Sequence, residues 1–331
     1  MRGRIARRAA SHWRSRWRSW PGSFIRAYRN NGGKFTDVTE AVGLGHVPSG
    51  YSLNLIDYDN DGWLDLVVAN GVLQDGSVTQ IYRNNRDGAF TNVTKVAGLD
   101  EPPTYGAVGI ALGDYDKDGR VDILINGREE APDRLYHNDG NWHFTEVAKK
   151  AGVVQPPHNG FVCFFFDYNN DGWPDILTTS LAPWNAAVEG LKQGLRASEC
   201  ALRPSRAEPA VPQQPRWHVH RCHVRVQALL PARTMGAGVA DLDNDSYLDV
   251  YLGTGDPQMS RLEPNRLFRN NGDGTFSDLT NYVGFARPGN KGHGVGFVDI
   301  DHDGDLDIFA QLGGHYPVSA AHRPRAGESA R

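Results

Sequence analysis

Residues 57–65 read DYDNDGWLD, and the nonapeptide returns as DYDKDGRVD at 114–122, DYNNDGWPD at 167–175, DLDNDSYLD at 241–249 and DIDHDGDLD at 299–307. The steps between copies are 57, 53, 74 and 58 residues. Recurrence at such a period marks a repeat architecture, in which each unit must stack on its neighbours to bury a core. A second motif runs out of phase with the first. It reads YRNNGGKFTDVT from Tyr28, YRNNRDGAFTNVT from Tyr82, YHNDGNWHFTEV from Tyr136 and FRNNGDGTFSDLT from Phe268.

Each period parses into four short strands. Gly294 to Val298 precedes the last acidic loop and Leu306 to Gln311 follows it, while Arg266 to Arg269 and Thr275 to Leu279 supply the other pair one copy earlier. Four antiparallel strands per unit of about 55 residues is the arithmetic of a propeller blade. The segments GAVGIALG, GAGVADL and GVGFVDI alternate small and large residues, which suits strands packed tightly near an axis. The expected fold is therefore an all-β propeller of about five four-stranded blades, with an incomplete ring.

Composition agrees. With 38 Gly and 19 Pro the chain has many turns and short elements. The formal net charge of −4 hides Asp-rich nonapeptides and separate Arg-rich stretches, so overall charge gives no argument for nucleic acid or a membrane. Three cysteines, Cys163, Cys200 and Cys222, cannot build a disulfide framework, and Cys163 reads as a small buried hydrophobe. No stretch approaches the roughly 20 apolar residues that cross a bilayer, so no transmembrane segment is expected. The N-terminus, MRGRIARRAASHWRSRWRSWPGSF, is basic without a continuous apolar run and is not a signal peptide as it stands.

The spacing of the nonapeptide fits hard-cation chemistry. Calcium takes 6–8 oxygen ligands from carboxylates and carbonyls in a flexible loop. Side chains at positions 1, 3 and 5 converge when the chain coils, Gly at position 6 permits the sharp turn, position 7 offers a carbonyl and Asp at position 9 closes the cage. The expected Ca2+ ligands are Asp57, Asp59, Asp61, Trp63 and Asp65 in the first loop, and Asp114, Asp116, Asp118, Arg120 and Asp122 in the second. The third loop offers Asp167, Asn169, Asp171, Trp173 and Asp175, with lower charge because of Asn169. The fourth offers Asp241, Asp243, Asp245, Tyr247 and Asp249, with Ser246 in place of the turn Gly. The fifth offers Asp299, Asp301, Asp303, Asp305 and Asp307. Asp and Gly also suit turns that bind nothing, but such turns need no fixed register of oxygen-bearing side chains in five copies. Closure at position 9 between strands, rather than by Glu at position 12 between helices, argues against an EF-hand.

Together these loops and the YRNNGDGTF-type strands resemble the FG-GAP/VCBS repeats of integrin-α-like propellers, and most of all the ASPIC/UnbV, or cartilage-acidic-protein-like, family. The resemblance covers roughly residues 24 to 316 apart from one gap. It implies a propeller, often seven-bladed, with metal loops between the first two strands of each blade. It also implies an extracellular or cell-surface placement and a binding or adhesive role, with a protein or carbohydrate ligand as partner. Members usually carry a C-terminal ASPIC/UnbV domain, and none is recognisable here, so the expectation is a truncated chain.

The gap has its own reading. His218, His220, Cys222 and His223 lie in PRWHVHRCHV, but donors so closely spaced rarely close a tetrahedral zinc site by themselves. Residues 196 to 233 hold seven Arg, no Lys and no Asp where a YRNN…FTDVT motif is missing. Read one nucleotide later, the codons from Glu208 to His223 permit a motif of the same length as NRLFRNNGDGTFSDLT. The Trp217–His218 junction then forces the glycine that motif needs. Residues 196–232 are accordingly read as irregular and out of frame, without a β-ladder. They lie between propeller segments 24–195 and 233–316, with an unstructured Arg-rich leader at 1–23 and a disordered tail at 317–331. Trp63, Trp173 and Tyr247 read as packing over the blade edge rather than as a carbohydrate platform, and His315 as a loop residue.

The leading reading is a calcium-rigidified binding scaffold and not an enzyme. A propeller-type polysaccharide lyase or hydrolase is the alternative, and it would need a base and cations converging on one face. Deleting one nucleotide upstream of the Glu208 codon and restoring it before Thr234 is expected to add two antiparallel strands and raise stability. An unchanged thermal midpoint would show that the segment is a genuine insertion.

Overall fold

The structure is a computed structural model that describes residues 25–47, 52–69, 79–100, 107–127, 131–153, 160–180, 223–225, 234–255, 264–284 and 292–312. A hairpin of β1 (Tyr28–Asn30) and β2 (Phe35–Asp37) comes first. The first blade then runs β3 (Ser52–Ile56), β4 (Asp65–Ala69), β5 (Gln80–Asn84) and β6 (Phe90–Asn92), each strand antiparallel to the next. The second blade repeats this with β7 (Gly109–Gly113), β8 (Asp122–Asn126), β9 (Arg134–Gly140) and β10 (His143–Glu146), followed by the one-turn helix α1 (Ala148–Ala151). In the third, β11 (Gly160–Phe166) pairs β12 (Asp175–Ser180), and β13 (His223–Arg225) joins β12 in parallel. The fourth is complete, with β14 (Thr234–Ala240), β15 (Asp249–Thr254), β16 (Arg266–Asn270) and β17 (Phe276–Asp278). A fifth sheet holds β18 (Gly292–Val298) and β19 (Asp307–Leu312).

The second strand of each blade explains the layout. DLVVA and DILIN are buried along their whole length, unlike a strand with one wet face. Because successive side chains point to opposite faces, neighbours feed different cores. Val67 packs against Ile110, Ile123 and Ile125 of the next blade, whereas Leu66 and Val68 pack against Val42, Leu44 and Val47 on the other side. Leu124 turns to Cys163 and Ile176, and Leu177 to Val250, Leu252 and Phe268. The hydrophobic core thus lies between sheets, and each fully buried Val, Leu or Ile contributes about 1.5–3 kcal/mol there. This is the stacking of an incomplete β-propeller.

The first strands β3, β7, β11, β14 and β18 are neighbours in that order. Their small residues are a steric requirement. A Cβ on Gly109 would stand 2.7 Å from the carbonyl oxygen of Phe161, and one on Gly236 would stand 1.6 Å from that of His293. Cys163 is buried as expected, and desolvation raises its thiol pKa. Cys200, Cys222, His218, His220 and His315 lie outside the described residues, as do 1–24, 181–222 and 313–331.

One expectation needs correction. The 196–232 segment does form a ladder, although a short one, through Ile176–His223, Leu177–Val224 and Thr178–Arg225. It is parallel where every other pairing in the blades is antiparallel, because a strand arriving after a long connection is not bound to hairpin geometry. The antiparallel outer pair seen in the other blades is absent from this sheet among the described residues.

The RNN motif staples one blade to the next. Asn138 is buried, and its amide nitrogen donates to the carbonyls of Val121 in its own blade (3.1 Å) and Tyr58 in the preceding blade (2.8 Å). Asn270 does the same with Leu248 (3.2 Å) and Tyr168 (2.7 Å). Asn138→Ala is expected to lower the unfolding free energy by about 3 kcal/mol, since two buried carbonyls lose their donor. A loss of less than about 1 kcal/mol, taken from the shift in denaturant midpoint multiplied by m, would show the staple to be dispensable.

Candidate metal centres

All five acidic loops connect the first and second strands of their sheets. Each coils around the carboxylate at position 1. Asp57 accepts the N–H groups of Asp61 (3.0 Å) and Gly62 (2.9 Å), and Asp114 those of Asp118 (3.0 Å) and Gly119 (2.8 Å). Asp167, Asp241 and Asp299 repeat the pattern at distances of 2.7–3.2 Å. Position 5 accepts the N–H of position 7, from Trp63, Arg120, Trp173, Tyr247 and Asp305 in turn. Position 6 takes a positive φ throughout, and Ser246 reaches 74° although it is not Gly. The fourth loop therefore keeps the shared geometry, at the roughly 1–2 kcal/mol that a Cβ costs in this region.

This coil brings ligand oxygens together. One oxygen from each of Asp57, Asp59 and Asp61 lies within 4.8 Å of the others, and so do those of Asp241, Asp243 and Asp245 and of Asp299, Asp301 and Asp303. In the second loop Asp114, Asp116 and Asp122 converge likewise. In the third, the Asn169 amide donates to Asp171 (3.1 Å) and so offsets part of its charge. Asp59 Oδ1 and Asp116 Oδ1 are buried oxygens with no hydrogen-bond partner, a state that suits a cation ligand. The donor set of the first, fourth and fifth loops is carboxylate oxygen, as a hard cation requires.

Position 9 has a second duty. Asp122 accepts the N–H of Tyr115 at the loop entrance (3.1 Å) and that of Asn138 on the third strand (2.8 Å). Asp249 bridges Leu242 and Asn270 in the same way, and Asp65 accepts from Asn84 (2.7 Å). Asp307, on the fifth sheet, is exposed.

Several functional side chains escaped the sequence reading. Arg86 pairs with Asp61, Arg83 approaches Asp59 at 4.0 Å, and Arg269 Nε lies 2.7 Å from Asp243. Arg83 and Arg269 both follow the aromatic residue of the second motif, and that fixed place was the available signal. The second blade has His137 there. Position 4 was also passed over. It takes a positive φ in every loop and reaches the next one: Asn60 donates to the Gly119 carbonyl (3.1 Å), Asn170 to that of Ser246 (2.8 Å) and Asn244 to Asp305 (2.7 Å), while Lys117 Nζ sits 4.4 Å from the Trp173 ring centre.

Charge is stored in these loops. Desolvation raises Asp65 to about 6 and both Asp122 and Asp175 to about 7, and raises Asp249, Asp59 and Asp116 as well. Asp61, held low by the Arg86 hydrogen bond, titrates below that range. With cations chelated, the folded chain binds more protons than the unfolded chain between about pH 4 and 7, so stability falls as pH rises through that window. The thermal midpoint in chelator should be higher near about pH 5.5 than near about pH 7.5, and Asp122→Asn should shrink the difference. The opposite slope would show that these carboxylates are ionised at little cost.

The chain matches the FG-GAP-like repeat over residues 17–68, 57–125, 122–178 and 241–310. It is 26% identical over 305 residues to cartilage acidic protein 1 of Xenopus tropicalis, covering 83% of this chain and 42% of that protein. Integrin alpha-7 of Mus musculus is 26% identical over 145 residues, covering 40% of this chain and 12% of that protein. The chain thus spans less than half the length of either relative. A solved structure of an Agrocybe aegerita lectin that recognises non-reducing terminal N-acetylglucosamine aligns with a TM-score of 0.37 and 15% identity, covering 83% of this chain and 65% of that one. No helix among the described residues is long and apolar enough to cross a membrane. With acidic loops on successive sheets and a match over most of its length, the chain belongs to the FG-GAP-like repeat family.

Proposed function

We propose that the chain is a calcium-binding repeat scaffold for binding or adhesion at the cell surface or outside the cell. The observation that carries this reading is the convergence of carboxylates at positions 1, 3 and 5 of the first, fourth and fifth acidic loops. The relatives named integrin alpha-7 and cartilage acidic protein 1 support the placement and the adhesive role. Calcium, when bound, supplies the positive charge that these oxygens lack. The chain's own part is to hold them in register: Asp57 Oδ1 and Oδ2 fix the coil, Asp61 Oδ1 fixes the exit, and Asp65 ties the second strand to Asn84. Asp57, Asp59 and Asp61 would hold the ion in the first loop, and the corresponding residues would do so in the third, fourth and fifth.

Each loop also touches the next through position 4, so ordering one loop constrains its neighbour. A ligand bound by the native state alone stabilises it by about 2.7 kcal/mol per site at a hundredfold excess over Kd. Chelation should therefore lower the thermal midpoint by several degrees, and calcium should restore it. Asp59→Ala should remove one equivalent of calcium while the loops at 167 and 299 still titrate. A midpoint indifferent to chelator would reduce the loops to plain turns.

A further inference from the structure

The second blade departs from the others at two neighbouring places. Where the first and fourth blades have Arg83–Asn84–Asn85 and Arg269–Asn270–Asn271, it has His137–Asn138–Asp139. Both replaced residues face the acidic loop or its support. His137, 2% exposed, directs Nε2 at Asp116 Oδ2 (3.1 Å) and Asp118 Oδ2 (3.3 Å). Its other nitrogen, Nδ1, lies 2.8 Å from Asp139 Oδ1. Asp139 is itself held by the Thr145 hydroxyl and by His143 Nδ1 at 3.0 Å.

We propose that loop 114–122 together with His137 is a site for a borderline divalent transition-metal ion of the zinc class, rather than a calcium site. The proposal rests on the reading of the acidic loops as cation sites, and it assigns this one a different ion. Calcium seeks oxygen, whereas imidazole suits zinc and its neighbours. Asp139 accepting from Nδ1–H leaves the Nε2 lone pair facing the two carboxylates, the carboxylate–histidine arrangement that orients a metal-bound imidazole. Bonds of about 2.05 Å in a tetrahedron separate ligand atoms by about 3.3 Å, which the two Nε2–carboxylate distances match. The Asp116 side chain is 8% exposed; its Oδ2 faces His137 Nε2, and its Oδ1 is a buried acceptor with no hydrogen-bond partner. Arg120 pairs with Asp118 and donates through Nε to the Asn138 carbonyl (2.7 Å), which leaves Asp116 and His137 as the residues an ion engages first. His137, Asp116 and Asp118 supply three donors within 4.8 Å of one another, and solvent would complete the tetrahedron, while Asp114 and Asp122 form a second group with Asp116.

The competing role for His137 is that of a protonated counter-ion, standing in for Arg83 and Arg269. His137→Arg separates the two, because it restores the residue the other blades carry and should fold. The full chain, stripped by chelator and held in saturating calcium, is titrated with zinc and separately with cobalt, whose visible spectrum reports nitrogen–oxygen coordination. The wild type should bind one more equivalent of zinc than His137→Arg, and Asp139→Asn should weaken that equivalent about 10–100-fold. The difference between the isotherms is the readout, because His218, His220 and His223 offer zinc other donors. Equal zinc binding by wild type and His137→Arg, or displacement of that equivalent by calcium, overturns the proposal. Calcium isotherms of both proteins report on the remaining loops, so a failure of the calcium reading shows there and not in the zinc difference.

Discussion

A buried carboxylate at the end of each of the first four acidic loops is the joint on which the blades are assembled. Asp122 is fully buried, and its two oxygens take N–H groups from the loop entrance at Tyr115 and from Asn138 on the third strand. One side chain thereby fixes the loop, the second strand that begins at Asp122 and the third strand that must lie beside it. The same asparagine then reaches back to Tyr58 of the preceding blade. The acidic nonapeptide and the RNN segment, out of phase along the chain, are one unit in space. Any replacement that removed the carboxylate would strand two buried amide donors, each at a cost of about 1–3 kcal/mol.

The same burial makes the loops electrostatically expensive. Carboxylates at positions 1, 3, 5 and 9 are drawn together by the coil, and desolvation raises the pKa of several. Arg83, Arg86 and Arg269 supply part of the missing charge, but their side chains are 40–51% exposed, and ion pairs so open to water contribute little. A guanidinium can approach an oxygen from one side. A metal ion can sit among several oxygens at once, and the partnerless Asp59 Oδ1 shows that the arginines leave that place unfilled.

Period, blade order and loop register were legible because each depends on residue types at fixed separations. Positive φ at position 6 calls for Gly, and Gly62, Gly119, Gly172 and Gly304 all adopt it. The continuous apolar run Leu66–Val67–Val68 is buried along its length in the second strand. Illegible were the contacts that depend on strand pairing, since His137 meets Asp116 only after β9 docks on β8. Position 4 gave no chemical cue, because Asn60 and Lys117 hook the next loop by different means, a hydrogen bond and an aromatic contact. The one-turn helix α1 was missed too; it closes on Gly152 in the left-handed region, too brief for its period to register. A parallel three-residue strand at His223–Arg225 has no local signature whatever.

That short strand also shows which half of a blade reaches the blade after it. The third sheet has no antiparallel outer pair among the described residues, yet its junction with the fourth blade is as complete as any other. Phe166, Tyr168 and Leu177 pack against Val250, Leu252, Phe268 and Phe276. Asn270 still donates to the Tyr168 carbonyl, and Asn170 still hooks Ser246. Every one of these third-blade groups belongs to the first two strands or to the loop between them. The inner pair and its acidic loop therefore supply the third blade's side of this junction, while Phe268, Asn270 and Phe276 of the third and fourth strands meet it from the fourth blade. In the third blade that continuity persists beside a single parallel strand, because a blade reaches the one after it through its inner pair and acidic loop, and the outer strands that receive those contacts belong to the following blade.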